Sequence, residues 1–345
     1  MKDRLDRRHF LKTAALGATA ALAGCGTDEE QAASSTPSGS PKPATPAPSG
    51  NAAPEPVDPT GASKVVTVRD PSVVAEGMVD PDTLRAMLDR AMAEATGGAD
   101  APSAFADLFG ADDVVAIKVN CIAKFALSTS PVTCGVVVEA LLEAGVKPGN
   151  VVVFDRDAGE LDGAGFDLSD SAGAPRIVGT NGAYGKEISY GQFKGRIART
   201  LEEATALINM PILKDHGITQ ATFAMKNHYG SIDNPGRYHG NNGVPGIAEI
   251  SATPEIKGLN RLVIMDATRG CLRGGPFPPA DAVYAENALL VSTDPAALDA
   301  VAWDLLCQRR SEQGMANGPR PEWLAKAEEY GVGRTSPDGI DAVEV

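Results

Sequence analysis

Residues 206–230 read ALINMPILKDHGITQATFAMKNHYG. The first part, 206–213, is apolar apart from Asn209, the pattern of a strand buried on both faces. Lys214, Asp215, His216 and Gly217 then read as a turn into a short helix with Ile218, Ala221, Thr222 and Met225 on one face. Lys226, Asn227, His228 and Tyr229 close that helix, and Gly230 stands where a C-terminal cap belongs. Two lysines, two of the four histidines and an aspartate therefore gather at the ends of one strand–turn–helix unit. Such residues rarely build a core, so their clustering points to a site; the plainer alternative is a solvated loop and a surface helix.

The flanking chain repeats the alternation of strand and helix. Residues 64–68 (KVVTV) read as a strand. Asp80-Pro81 starts a helix, with aspartate as N-cap and proline in the first turn, and Leu84, Met87, Leu88, Ala91, Met92 and Ala95 form its inner face. A short helix follows at 102–109. Residues 113–120 (DVVAIKVN) are a buried-type strand that contains Lys118, and Ser130-Pro131 opens the next helix. Residues 151–154 form a strand ending at Asp155. The glycine-rich stretch 157–195 carries weak strand signals at 176–178 and 187–190. Residues 231–246 (SIDNPGRYHGNNGVPG) are a loop longer than most connections in a compact domain, a property of functional or disordered segments. Beyond it lie a helix at 247–256, a strand at 261–265 running into Asp266, and a strand at 287–293. Asp294-Pro295 then caps a helix whose inner face is Leu298, Val301, Ala302, Leu305 and Leu306. A short helix at 321–330 and an edge strand at 340–345 end the chain. This order predicts an α/β fold: a mainly parallel sheet with helices on both faces.

Polar residues recur at one place in that scheme. Lys118 with Asn120, Asp155, Lys214 with His216, Asp266, and Asp294 each fall at or just past the C-terminal end of a strand. Open α/β sheets bind ligands in the crevice outside those ends, so a ligand cleft is expected there. Lys118 is the sharpest signal, because a lysine inside VAIKV is buried and must meet a carboxylate, a ligand anion or solvent. Three chemistries fit the set. Lys118, Lys214 and Lys226, with Arg269, Arg273 and the amides of Asn120 and Asn227, suit a carboxylate or phosphate. His216 with Asp266, Asp294 or His228 suits a divalent metal. His216, or a desolvated Lys214 or Lys118, suits catalytic proton transfer. Each histidine taken singly also reads as a structural residue. Cys134, near a helix start, reads as a reactive thiol or a small core residue. Dinucleotide, P-loop, nucleophile-elbow and zincin motifs do not occur.

Composition narrows partners and compartment. A formal charge of −14 over 345 residues lacks the basic footprint of a nucleic-acid binder. The first 24 residues carry five Lys or Arg against two Asp, and there Arg7-Arg8 with Phe10-Leu11-Lys12 resembles a twin-arginine export motif followed by a weakly apolar run. Leu22-Ala23-Gly24-Cys25 resembles a lipobox, which makes Cys25 the lipidated residue. The expected organisation is a twin-arginine signal with lipobox (1–25), a disordered Ser/Pro/Ala-rich linker (26–63) and an α/β domain (64–345). The expected location is the periplasmic side of a bacterial envelope, anchored through Cys25 after passage through the twin-arginine machinery. The linker would hold the domain roughly 35 Å from its anchor. The cysteines Cys121, Cys134, Cys271 and Cys307 form no CxxC pair, which argues against an iron–sulfur cluster within this chain.

VAIKVN, PILKDHG, FAMKNHYG, IMDATRGCLRGGP and STDPAALDAVAWDLL, in this order, resemble the domain of unknown function 362 family over roughly residues 64–345. Many members carry an added ferredoxin-type cysteine module, which is missing here. The resemblance therefore implies the fold more than the function. The expectation that emerges is an enzyme or enzyme-like protein acting on a small anionic ligand, with or without a metal. The alternatives are a non-catalytic ligand- or metal-binding lipoprotein and a partner of a separate iron–sulfur redox protein.

Overall fold

Among the described residues, four helices begin with one device: an Asp or Ser side chain accepts a backbone N–H of the first turn, and a proline occupies one of its first two positions. The caps are Asp80, Asp100, Ser130 and Asp294. Proline is tolerated there because its missing N–H would have had no helical partner. The computed structural model describes residues 61–345. The twin-arginine segment, Cys25 and nearly all of the 26–63 linker lie outside the described residues.

In chain order the strands are β1 (Ser63–Arg69), β2 (Val74–Ala75), β3 (Met78–Val79), β4 (Val115–Lys118), β5 (Val151–Asp155), β6 (Arg176–Gly179), β7 (Tyr184–Tyr190), β8 (Phe193–Ala198), β9 (Ala206–Asn209), β10 (Ile212–His216), β11 (Gln220–Thr222), β12 (Asn260–Cys271), β13 (Val283–Ser292) and β14 (Ile340–Glu344). The helices are α1 (Pro81–Thr96), α2 (Ala101–Leu108), α3 (Pro131–Glu143), α4 (Ala158–Gly163), α5 (Arg199–Glu203), α6 (Ala224–Asn227), α7 (Gly246–Ala252), α8 (Pro254–Lys257), α9 (Pro295–Glu312) and α10 (Glu322–Glu329). The main sheet runs β14-β1-β13-β12-β9-β4-β5-β6, with β10 beside β12 and β11 paired to β10. From β12 to β6 every pairing is parallel, whereas β13 is antiparallel to both of its neighbours. The fold is α/β, a mostly parallel sheet with helices on both faces.

Strand alternation divides the core in two. Val115, Ile117, Ala206 and Ile208 face the layer of α1, α2 and α3. Ala116 and Leu207 face the layer of α6, α7, α9 and α10. Lys118 and Asn209, paired in register across β4 and β9, continue the second series and so point under α6. The chain leaves β4 toward β5 and β6 but returns through β9 on the other side. The strand order thus reverses at β4, the place where a doubly wound sheet opens a crevice.

Two expectations need correction. The apolar run 206–213 is not one strand: β9 stops at Asn209, and β10 starts at Ile212 on the far side of Pro211, which has no N–H for a ladder. Nor does a helix follow His216. The chain turns through Gly217–Thr219 into β11, with Lys214 opposite Thr222 and His216 opposite Gln220. Only residues 224–227 become α-helical, with a 3-10 turn following at His228–Ser231, and Ile218, expected on an inner face, is exposed. The second correction concerns Asp294. Because β13 runs antiparallel, its C-terminal end lies at the N-terminal ends of the parallel strands, so Asp294 is on the opposite edge from Lys118. There it caps α9 and accepts from Ser63 Oγ and Arg334 N–H.

Candidate functional site

At the C-terminal ends of β4 and β5 lies a cavity of about 110 Å³, lined in part by Lys118, Asn120, Asp155, His216, Lys226 and His239. Its floor is a network of buried amides and ions. Lys118 Nζ donates to Asp155 Oδ1 at 2.7 Å, to Val119 O at 2.6 Å and to Asn227 Oδ1 at 3.2 Å. All three ammonium protons are thereby placed. Asp155 also accepts the Cys121 and Arg156 N–H groups. Asn227 donates to Lys118 O and Asn209 Oδ1 and accepts from Asn120 Nδ2, which uses its full capacity. Asn120 Oδ1 in turn accepts from Lys214 Nζ at 3.0 Å.

Backbone placement explains why these groups meet. The Asp299 carboxylate, fully buried on α9, accepts the N–H groups of Ala224 and Met225 at 2.7 and 3.0 Å. It fixes the start of the short α6, and Lys226 and Asn227 follow within that single turn. Gly230 passes so close to the ion pair that a Cβ there would stand 2.8 Å from both Lys118 Nζ and Asp155 Oδ1. Glycine is required at this position by close approach and not as a helix cap. Asp215 pairs with Arg310 and accepts Gly275 N–H, tying β10 to the Gly274-Gly275-Pro276 turn, whose proline lines the cavity.

The charges do not balance. Lys118 is matched by Asp155 and Arg156 by Glu160. Lys226 and Lys214, both buried, have no carboxylate partner among the described residues. Burial first, and Lys214 second, lower the Lys226 ammonium to about 7. Burial lowers Lys214 to about 8. Lys226 Nζ lies 3.3 Å from His239 Nε2 and 4.5 Å from the centre of the Tyr229 ring. His239 Nδ1 faces the Pro235 carbonyl at 3.0 Å, so its proton sits on Nδ1 and Nε2 accepts from Lys226.

His216 takes the opposite tautomer. Its Nδ1 accepts the N–H groups of Ile218 and Thr219, both at 3.2 Å, which leaves the proton on Nε2. Burial and the nearby Lys226 hold its pKa near 3. The ring stacks on His239 with centroids 5.4 Å apart. Geometry therefore makes His216 a neutral hydrogen-bond donor; as a proton acceptor near neutral pH it has no free nitrogen. Lys214 lies one layer behind Asn120 and acts on the cavity through that amide and through its charge.

The remaining sequence candidates do not converge here. Asp266 points to the other face of the sheet, where it accepts from Ser130 N–H and from Thr268 N–H and Oγ1. His228 is buried against Asn209 and Ser231, and burial lowers its pKa to about 3. Asp294 lies on the far edge. Among the described residues no group of three or more His, Cys, Asp or Glu side chains is arranged to hold a metal ion. Arg269 is half-buried on β12, outside the cavity lining, and Arg273 forms an exposed pair with Asp281 at 2.6 Å. The described cysteines are unpaired, and burial raises the Cys134 thiol, making it a core residue. Residues that the sequence argument passed over complete the site: Tyr229, His239, Arg156, Glu160 and Pro276. For His239 the signal was available, since it belongs to the long 231–246 loop and is one of only four histidines.

Residues 115–304, more than half of the chain, match the family model Domain of unknown function (DUF362). The chain belongs to this family. The DUF362 match begins at β4 and ends within α9, so β1, α1, α2 and the C-terminal segment, which the resemblance was expected to include, lie beyond it. Every residue of the cavity network falls inside it. No curated protein is similar enough to the chain to match it.

Proposed function

We propose that this domain binds a small anion, a carboxylate or a phosphate, in the cavity beneath the 231–246 loop. One observation carries the reading: among the described residues two buried ammonium groups, Lys226 and Lys214, lack a carboxylate partner, whereas Lys118 and Arg156 in the cavity wall each have one. Uncompensated buried charge is destabilising, so the arrangement is expected to be completed by an anion. Lys226 would contact it directly, the His216 Nε2–H would donate to it, and Lys214 would add field from behind Asn120. A second reading, turnover of that anion, is favoured by the nearly neutral pKa of Lys226, the range in which a lysine exchanges protons efficiently. We further propose that the domain is an exported lipoprotein tethered through Cys25. Its support is the Arg7-Arg8 and 22–25 sequence pattern, and retention of a Cys25→Ser variant in the membrane fraction would exclude it.

The test of anion binding is calorimetric titration of the full-length chain at pH 6 with sodium acetate and with inorganic phosphate. Saturable binding by one of them, lost by at least about tenfold in Lys226→Met, supports the reading. No saturable heat with either anion, or an unchanged affinity in the variant, overturns it. A folded Lys226→Met, verified by circular dichroism, makes the comparison valid.

A further inference from the structure

We infer that the anion is the head of an amphiphile, whose apolar chain lies on a hydrophobic rim formed by Phe125, Ile218 and Phe277. This rests on the proposed anion site and names the class of molecule that fills it. Six large hydrophobic side chains are exposed among the described residues. Phe125 is 86% exposed, Phe277 65% and Ile218 52%, and each stands within three residues in sequence of one that lines the cavity. Phe125 sits three residues beyond Ile122, a cavity-lining residue, in a turn that packs on α4, and α4 supplies Glu160 to the same wall. Ile218 follows His216 and donates its N–H to that ring. Phe277 follows Pro276, which also lines the cavity. The bond from Gly217 N–H to Gly275 O, 3.0 Å, brings the Ile218 and Phe277 turns together.

Size and charge both fit the head of an amphiphile. A cavity of about 110 Å³ takes a head group, whereas pockets that enclose a whole drug-sized ligand run to about 300 Å³ or more. A chain attached to the head must therefore leave over the rim. The Lys226 ammonium is the unmatched charge within the lining, which suits a single anionic head. Exposed aromatic side chains beside such a site are otherwise unfavourable to keep in water.

The experiment is calorimetric titration of the full-length chain, prepared without detergent, with sodium acetate against sodium octanoate below its micellar concentration. Inorganic phosphate against octyl phosphate forms a parallel pair that identifies the head group. Octanoate, or octyl phosphate, is expected to bind about tenfold or more tightly than its short counterpart. That ratio should fall by roughly threefold or more in a Phe125→Ser/Phe277→Ser variant and stay unchanged in Met78→Ser, an exposed apolar site away from the cavity. Equal affinity for the long and short members, or a ratio that survives the double variant, overturns the inference and leaves the anion site standing. Attachment to anionic vesicles without binding of monomeric octanoate or octyl phosphate also overturns it. If no member of either pair binds, the anion site itself fails and the inference with it.

Discussion

Replacing Lys214 by methionine should leave the protein as stable at pH 7, or make it more stable, and should make it less stable near pH 10.5. The side chain is fully buried and donates to Asn120 Oδ1, and among the described residues it forms no ion pair with a carboxylate. Burial lowers its pKa from 10.5 to about 8, so the folded state holds this proton less tightly than the unfolded state. Between those two values the unfolded chain carries more protons, and stability must rise with pH. Below pH 8 the full charge penalty is present, worth roughly 3 kcal/mol at about 1.4 kcal/mol per pKa unit. Methionine removes that penalty at similar volume but leaves the Asn120 oxygen without its donor, which costs about 1–3 kcal/mol. The net at pH 7 is therefore between zero and about 2 kcal/mol of stabilisation; above pH 10.5 only the lost hydrogen bond remains and the sign reverses. Urea denaturation of both full-length proteins from pH 6 to 10.5 measures the difference; groups that do not couple to Lys214 cancel in it, whereas Lys226, which Lys214 helps to lower, adds a stabilisation of the same sign to the variant below its pKa. A variant destabilised by more than about 2 kcal/mol at pH 7, with no dependence on pH, would refute the reasoning.

Asp155→Asn should act in the opposite direction within the same network. It strands Lys118 as an uncompensated buried cation and should cost about 3 kcal/mol or more in urea denaturation at pH 7. Anion affinity should fall by at least about tenfold between pH 6 and pH 9, because the protonated forms of Lys226 and Lys214 bind and both are lost across that window. Calorimetry in buffers of different ionisation heat should show proton uptake on binding near pH 7.5, and proton release would contradict the assignment. Gly275→Ala places a Cβ 1.7 Å from the Asp215 carbonyl oxygen. That overlap should lower stability by about 2 kcal/mol or more, read as a drop in the urea midpoint.

Elements whose determinants are local were legible in the sequence. The Asp-Pro and Ser-Pro starts place α1, α3 and α9 because a cap and a proline act within one turn. The strand β4 was legible because VAIK has no other way to hide its apolar side chains. Asp294 shows the limit. Its capping role was written in the dipeptide, but its side of the sheet depends on the direction of β13, and direction is fixed by pairing with distant strands. The segment GITQATF shows the same limit more sharply. Its apolar spacing fits a helix, yet the hairpin with β10 prevails because Lys214 and His216 find ladder partners in Thr222 and Gln220.

For the site, the sequence pointed to Lys118, Asn120, Asp155, His216 and Lys226, which line one cavity, and to Asp266 and Asp294, which lie elsewhere. Lys118 stood out because it is a cation inside an apolar run, and for that reason it was a natural choice for ligand contact. Its three protons are instead all committed to protein acceptors, so it organises the floor. The lysine that the proposed reading leaves for a ligand is Lys226, ordinary in sequence and unusual only through its surroundings. Those surroundings arise because Asp299, from α9, holds α6 so that Lys226 opens toward the cavity and Asn227 locks into the floor. A matched and an unmatched lysine differ here by the reach of a single carboxylate, Asp155, and that difference is tertiary. A carboxylate added to face Lys226, with Asp155 kept in place for Lys118, would fill the role proposed for the anion and should abolish binding.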